Sequence, residues 1–372
     1  MHTLAKKTTT WQAIPFNKNS QMKAYKSELT TLNRNEKLYM SEFQSEKRLV
    51  RDYYEALDTA NYAEITDVLL KFTAKDYAWR AFHPFGLKTD IEAISDTFWR
   101  PFRHSIQHLQ RRMDVFFAGN NFIDDGESVW VCSMGHLMGL FDKAWLGIQP
   151  TNKIILLRYA EFHKIENGKI AETAFYFDIP HLMIQAGYKP FKNPTGKHLV
   201  QPGPATHDGL LFEDAPQKDG QKTMDAMHAM ISDLGTWQLG LPLEEELKRT
   251  WHNDMLWWGP AGIGSSYTIE RYAKQHSGPF RAAMSDRSST GHIARIAEGH
   301  YSGFFGWPNF TAKPTGGFMG LPPNNKSCEF RVIDIYRREG SKLKANWIFI
   351  DLLHFFKQLN VDILNNLENY KK

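Results

Sequence analysis

Cysteine is nearly absent: Cys132 and Cys328 are the only two in 372 residues, too few for a disulfide framework or a zinc knuckle. No run approaches 18 consecutive apolar residues, so a membrane-spanning helix is not expected. The first 45 residues lack the apolar core of a secretory signal, and a cytoplasmic protein is expected. There is no Gly-x-Ser-x-Gly elbow and no phosphate loop. Gly259-Pro260-Ala261-Gly262-Ile263-Gly264 follows no strand of a βαβ unit and reads as a turn, not a dinucleotide fingerprint. His104 and His108 stand four apart on a predicted helix but lack a third ligand, so neither a metal nor any other cofactor is expected. Charge of one sign is also missing. The 45 Lys and Arg against 41 Asp and Glu leave a net +4, which argues against a nucleic-acid groove.

What the chain has is apolar and aromatic bulk: 42% hydrophobic residues, 11 Trp and 25 Phe, enough for large cores or pockets. Its length suggests two domains at about 150 residues each. Residues 1–45 form a polar arm rich in Lys and Thr, either a basic arm for nucleic acid or membrane or a solvated extension packing on its own or a partner subunit. A linker is expected at 189–221, where Pro, Gly and Asn break a stretch with no apolar period.

The blocks flanking this linker repeat each other. Shifted by 173, residues 147–185 fall on 320–358 without a gap and ten positions are identical, among them Arg158/Arg331, Glu166/Glu339, Asp178/Asp351 and His181/His354. Shifted by 178, residues 69–103 fall on 247–281 and match at Trp79/Trp257, Gly86/Gly264 and Pro101-Phe102-Arg103/Pro279-Phe280-Arg281. The chain therefore reads as two domains, 46–188 and 222–366. Each has helical periodicity first, then an antiparallel meander, then a short closing helix, which is an α+β class with one curled sheet on about three helices.

Asn167-Gly168 suits a two-residue hairpin turn, and Gly340-Ser341 is its counterpart. An unbroken register from these turns places Trp347, Phe349 and Asp351 on one face with Val332, Asp334 and Tyr336. The same face in the first repeat carries Tyr159, Glu161, His163, Ala174, Tyr176 and Asp178. Arg158 and Arg331 fall on the opposite face, with Ile333 and Ile335. A carboxylate among aromatics has its pKa raised by burial and can move a proton at carbon. Asp351 and Asp178 also stand where an aspartate caps the helix that follows. Both roles remain open for them, as do core and acid–base roles for His181 and His354.

The second repeat resembles the SnoaL-like polyketide cyclases of the NTF2-like superfamily. The resemblance rests on Gly306-Trp307-Pro308, Gly316-Gly317-Phe318, Phe330 to Arg337, Asn346-Trp347-Ile348-Phe349-Ile350-Asp351 and Gln358-Leu359. The first repeat is similar through Gly135-His136, Asn167-Gly168-Lys169, Asp178 and Gln185. The resemblance implies cone-shaped α+β domains and a cofactor-free, acid–base cyclisation or isomerisation of a hydrophobic carbonyl or ester compound. It places the catalytic role on Asp351 and Asp178, with His354 and His181 beside them. Trp257, Trp347, Phe349, Asp334 and Tyr336 would line the pocket, with Glu161, Tyr176 and His136 in the first repeat. No cluster of arginines awaits an anion in this reading, so a flat aromatic substrate is expected. The two repeats are expected to pack as an internal pseudo-dimer. The departures are Pro314 where the family has His, and Ala345 where it has Glu. They keep a second reading open: a protein of the same fold that binds an apolar small molecule without catalysis.

Overall fold

The computed structural model describes residues 42–235 and 241–371; the expected polar arm lies outside them up to residue 41. Helix α1 (Gln44–Thr59) opens the first half because its apolar residues recur three and four apart, burying Val50, Tyr53, Tyr54 and Leu57. Helix α2 (Ile65–Phe72) runs directly into β1 (Thr73–Ala81), followed by β2 (Gly86–Lys88). Asp90 then caps α3 (Ile91–Ile94) by accepting the Glu92 N–H. A π-helical turn at Ser95–Trp99 joins α3 to α4 (Arg100–Ser105). The meander β3 (Ile106–Asn120), β4 (Val129–Phe141), β5 (Ile154–Glu166) and β6 (Lys169–Phe177) leads to α5 (Ile179–Gln185).

The second half repeats this order. It comprises α6 (Gln217–Gly235), α7 (Leu243–Thr250), β7 (Trp251–Trp258), β8 (Ser265–Tyr267), α8 (Ile269–Tyr272), a π-helical turn at Ala273–Ser277 and α9 (Gly278–Ala282). Then come β9 (Met284–Ser289), β10 (Ala294–Glu298), β11 (Tyr301–Pro314), β12 (Cys328–Glu339), β13 (Lys342–Ile350) and α10 (Leu352–Gln358). The sheets run β2-β1-β6-β5-β4-β3 and β10-β11-β12-β13-β7-β8, with β9 also pairing β11. The fold is a tandem pair of α+β cones, each a curved, mostly antiparallel sheet on helices. The meanders and flanking helices match expectation. Strands β1 and β7 were not anticipated, because each follows its helix with no Gly or Pro between and pairs in parallel with the last strand of its meander. His104 and His108 do not share a helix: α4 ends at Ser105 and His108 lies in β3. The stretch 189–216 has no regular element, yet it is tied down. Leu211 donates its N–H to Phe116 and Phe116 donates to Gly209, both at 2.8 Å, alongside β3.

The hairpin turns form as expected, with Asn167 and Gly168 both at positive φ and with Glu166 opposite Lys169 and Glu339 opposite Lys342. The register then breaks in both halves at the same place. Ala171 and Lys344 are extra residues, so Lys164 faces Glu172 and Arg337 faces Ala345. A bulge of one residue moves every later side chain of its strand to the other face. The expected shared face is therefore corrected. Val332, Asp334 and Tyr336 share theirs with Asn346, Ile348 and Ile350, whereas Trp347 and Phe349 lie with Ile333 and Ile335. In the first half Tyr159 and Glu161 stand with Phe175 and Phe177, and Tyr176 turns to the opposite face.

That opposite face is where the two sheets meet. Phe305 stacks its edge on Trp130 at 5.3 Å and packs on Phe162 at 5.4 Å between ring centres. Arg158 lies 3.8 Å over the Phe349 ring, and Arg331 lies 3.8 Å over Trp307. Gly303 permits the approach, since a Cβ there would stand 2.8 Å from the Asp334 carbonyl and 3.1 Å from Phe162. A buried ion pair also crosses between the halves: Lys47 meets Glu298 at 2.6 Å, and Glu298 accepts the Ala118 N–H at 2.8 Å.

Two aspartates complete the join. Asp178 Oδ1 accepts the His181 N–H at 3.0 Å, capping α5, while its Oδ2 accepts the Ala261 N–H of the second half at 2.8 Å. Asp351 does the reverse: Oδ1 caps α10 through His354 at 3.1 Å, and Oδ2 accepts the His83 N–H of the first half at 2.9 Å. Removing either carboxylate leaves a cap and a backbone donor unsatisfied. Asp178→Ala and Asp351→Ala should each lose about 2–4 kcal/mol of unfolding free energy, and Asp351→Asn less, as read by urea denaturation.

Candidate functional site

The helix-facing side of the second sheet borders a cavity of about 450 Å³. Strands β12 and β13 supply its floor through Val332, Asp334, Tyr336, Asn346 and Ile348. Trp257 of β7, with Tyr272 and His276 from α8 and the π-helical turn, forms one wall. Met230, Ile231 and Leu234 of α6 form another.

Asp334 is the only carboxylate among the lining residues. It is 6% exposed and accepts a hydrogen bond from Asn346 Nδ2 at 2.9 Å, while the same nitrogen reaches the Ile335 carbonyl at 3.0 Å. Tyr336, two residues along the same face, also favours its ionised form. Burial pushes the Asp334 carboxyl up to about 7, against these hydrogen bonds and the charge of Arg158, which favour the carboxylate. Burial holds His276 neutral, down at about 3; its ring stacks 4.2 Å from Trp257, and its Nδ1 has no partner. Tyr272 and Tyr336 are raised by burial and stay protonated as donors. The cavity thus holds one carboxyl raised toward neutrality, with neutral hydrogen-bonding side chains at Asn346, Tyr272 and Tyr336 on its walls.

The first half has the same positions with a different interior. Glu161 aligns with Asp334, Thr173 with Asn346, Ile94 with Tyr272 and Phe98 with His276. Phe98 packs against the rings of Trp79, Phe85, Trp99, Phe102, Phe175 and Phe177, with centres 4.9–5.4 Å away. Glu161 is bound to Arg111 at 2.8 Å, with His163 Nε2 at 3.8 Å. Burial alone would push Glu161 up, but Arg111, helped by His163 and Tyr54, carries it below the usual value. It stays an ionised partner of Arg111. Tyr54 and Thr173 fix His163, at 2.8 Å and 2.9 Å.

Of the residues the sequence singled out, Trp257, Asp334 and Tyr336 come together on the cavity. Trp347, Phe349 and Tyr176 lie in the inter-sheet core. His136 is buried 3.5 Å from Asp114. Asp178 and Asp351 meet across the join, where they line a cleft of about 10 Å³, room for about one water. Burial raises Asp351 to about 6 there. His181 stands near Gln185, and His354 Nε2 is 3.5 Å from Glu329. Sequence reading missed Asn346, Tyr272 and His276, although Asn346 belongs to the motif that suggested the resemblance. The absence of clustered arginines is also corrected, since Arg281, Arg287 and Arg295 all line the cavity. They lie 6 to 14 residues apart in sequence, Arg281 on α9 and the other two on β9 and β10, strands that meet only by pairing with β11. Among the described residues, no group of three or more His, Cys, Asp or Glu could hold a metal ion, and no helix is long and apolar enough to cross a membrane.

Residues 279–359 match the family described as SnoaL-like polyketide cyclase. No curated protein matches the chain. Among solved structures, a candidate SnoaL-like polyketide cyclase from Jannaschia sp. CCS1 is 16% identical, covering 38% of this chain and 91% of its own, with a TM-score of 0.31. A candidate cyclase from Xanthomonas campestris pv. campestris is 18% identical, covering 40% and 99%, also at 0.31. An NTF2-like protein from Burkholderia thailandensis E264 is 19% identical, covering 38% and 95%, at 0.28.

The raised Asp334 has a consequence for stability. Between about pH 4 and pH 7 the folded state keeps a proton that the unfolded chain has released, so this contribution to stability falls as pH rises through that window. Asp334→Asn should match wild type near pH 4 and exceed it by on the order of 2–4 kcal/mol at pH 8. Urea denaturation at both pH values checks this.

Proposed function

We propose that the chain is a cofactor-free acid–base catalyst of the polyketide-cyclase type, acting in the cavity of its second half, with Asp334 as the proton carrier. The observation that carries this reading is a single buried carboxyl, poised near pH 7, in the wall of a cavity large enough for a multi-ring compound. Asp334 removes a proton from carbon beside a carbonyl. The enolate oxygen so formed accepts hydrogen bonds from neutral donors such as Tyr272 and Tyr336. The enolate carbon then attacks a second carbonyl of the same molecule, and the new alkoxide recovers the proton from Asp334. Atoms and charge balance without any other reactant. Preorganised neutral donors favour the enolate more than the neutral ketone, so they lower the barrier.

On this reading Asp351 and Asp178 join the halves and take no part in proton transfer. The first half, around residues 46–188, serves as the packing partner of the second, around 222–366, in an internal pseudo-dimer. Its aromatic filling and the Glu161–Arg111 pair support this role.

The test is untargeted mass spectrometry of a metabolite extract incubated with wild type, Asp334→Asn or Asp351→Asn. A ring closure that keeps its water shows as a retention-time shift at constant mass. Wild type and Asp351→Asn should make the product, while Asp334→Asn should be slower by about 10²–10⁴-fold. Loss of turnover in a folded Asp351→Asn with activity intact in Asp334→Asn would overturn the assignment. A compound merely retained by all three proteins would mean a binding protein.

Once a substrate is known, kcat/KM should rise with pH to a plateau, with its midpoint near 7, because the ionised form of Asp334 is the base. A flat profile between pH 5 and pH 9 would exclude it.

A further inference from the structure

We propose that Asn309 is a further catalytic residue of the second half: its side-chain nitrogen holds the carbonyl that is attacked in the ring closure and donates to the oxyanion formed there. This rests on the reading above that the cavity is the substrate site and Asp334 its base, and it assigns the second reacting group.

The position is made by a bulge. Strand β11 pairs Gly306 with Val332 and resumes at Phe310 opposite Phe330, so residues 307 to 309 stand against Arg331 alone. In the first half the equivalent pairs are Gly135 with Tyr159 and Leu137 with Leu157, and only His136 stands opposite Arg158. The second half thus carries two more residues at this point, and a bulge re-aims the side chains it contains. His136 shares with Arg158 the face on which the sheets meet, whereas Asn309 lines the cavity. Gly306 leaves room for it, since a Cβ there would stand 2.9 Å from the Asn309 side-chain Cγ.

The sense of the amide is fixed by what it touches. Asn309 Oδ1 accepts the Val332 N–H at 2.8 Å, which only the oxygen of an amide can do. Its main-chain carbonyl is held as well, by the Thr290 N–H at 3.0 Å. That leaves Nδ2 without an acceptor among the described residues, on a side chain that is 4% exposed. A buried donor left unpaired costs about 1–3 kcal/mol, and a ligand carbonyl offsets that cost.

Val332, where the amide is anchored, and Asp334 are two residues apart on one face of β12, about 7 Å along the strand. That spacing suits two reacting centres of one molecule. The carboxylate reaches an acidic C–H, while the amide holds the oxygen of a carbonyl about 3–3.5 Å from that carbon. In the closure the enolate carbon bonds to the carbonyl carbon, and the C=O π pair moves onto oxygen. Asn309 donates a hydrogen bond to that oxygen and keeps its protons; the proton that neutralises the alkoxide comes from Asp334. The donor is set before reaction and its bond strengthens as charge develops.

Two probes separate the carbonyl from the ring system: 9-fluorenone and fluorene share a planar three-ring skeleton and differ at one carbon, C=O against CH₂. In equilibrium dialysis of the full chain, Asn309→Leu should bind fluorenone about tenfold more weakly than wild type and fluorene equally well. The C=O stretch of bound fluorenone, read by infrared difference spectroscopy, should lie lower in wild type than in the variant. Asn309→Ala serves both measurements where the Leu variant fails to fold. With a substrate in hand, either variant should turn over about 10²–10³-fold more slowly. Fluorenone affinity and stretch unaltered in the variants, both probes weakened alike, or a wild-type rate of turnover would overturn the proposal and leave the cavity a ligand site. Ile348→Trp, which fills the cavity, should abolish binding of both probes. Binding indifferent to it would overturn the substrate-site reading and the proposal with it.

Discussion

Two aspartates hold this molecule in its working arrangement. Asp178 and Asp351 occupy equivalent positions, each ending the last strand of its own sheet and starting the helix that closes its own cone. Each spends one oxygen on its own helix and the other on a backbone N–H of the opposite half. The donors, Ala261 and His83, are themselves equivalent under the 178-residue shift. The clasp fixes how the sheets cross, and the crossing brings Phe305 onto Trp130 and Phe162 and sets Arg158 over Phe349. It also carries the hairpin loop at Asn121 to the mouth of the open cavity. Burial makes such hydrogen bonds costly to leave unmade, which is why a polar pair can govern an apolar interface.

The halves divide their duties through a few side chains. The carboxyl at the heart of each cone is retained, as Glu161 in one and Asp334 in the other. What surrounds it decides the outcome. Arg111 neutralises Glu161 and ring upon ring of aromatic side chain fills the space around it, whereas Asp334 faces an open volume, bonded to Asn346 and without a paired guanidinium of its own. The same fold thus houses an ion-paired carboxylate in an aromatic core and, in the other half, a carboxyl raised by burial beside an open cavity.

Much of this was legible in the sequence. The identities under two nearly equal shifts exposed the paired cones, and Asn167-Gly168 placed the hairpin and its first paired residues. Trp257, Asp334 and Tyr336 were named for the pocket, and the capping role of Asp178 and Asp351 was among the roles left open. The inserted residues Ala171 and Lys344 were not legible. Neither is a glycine or proline, and a bulge of one ordinary residue leaves no compositional mark while inverting the rest of the strand. That inversion exchanged Trp347 and Phe349 for Asn346 and Ile348 in the cavity wall. Arg281, Arg287 and Arg295 escaped notice for a related reason: they share no local pattern and converge only when distant strands pair.

Joining the halves in one chain also lifts a restriction that identical subunits cannot escape. In a symmetric dimer of one gene product, every substitution appears twice, so a side chain that fills one cone fills both. Here Phe98 and His276 occupy equivalent sites in a single molecule. A filled core and an open cavity, which compete for the same positions in a symmetric pair, are free to change separately.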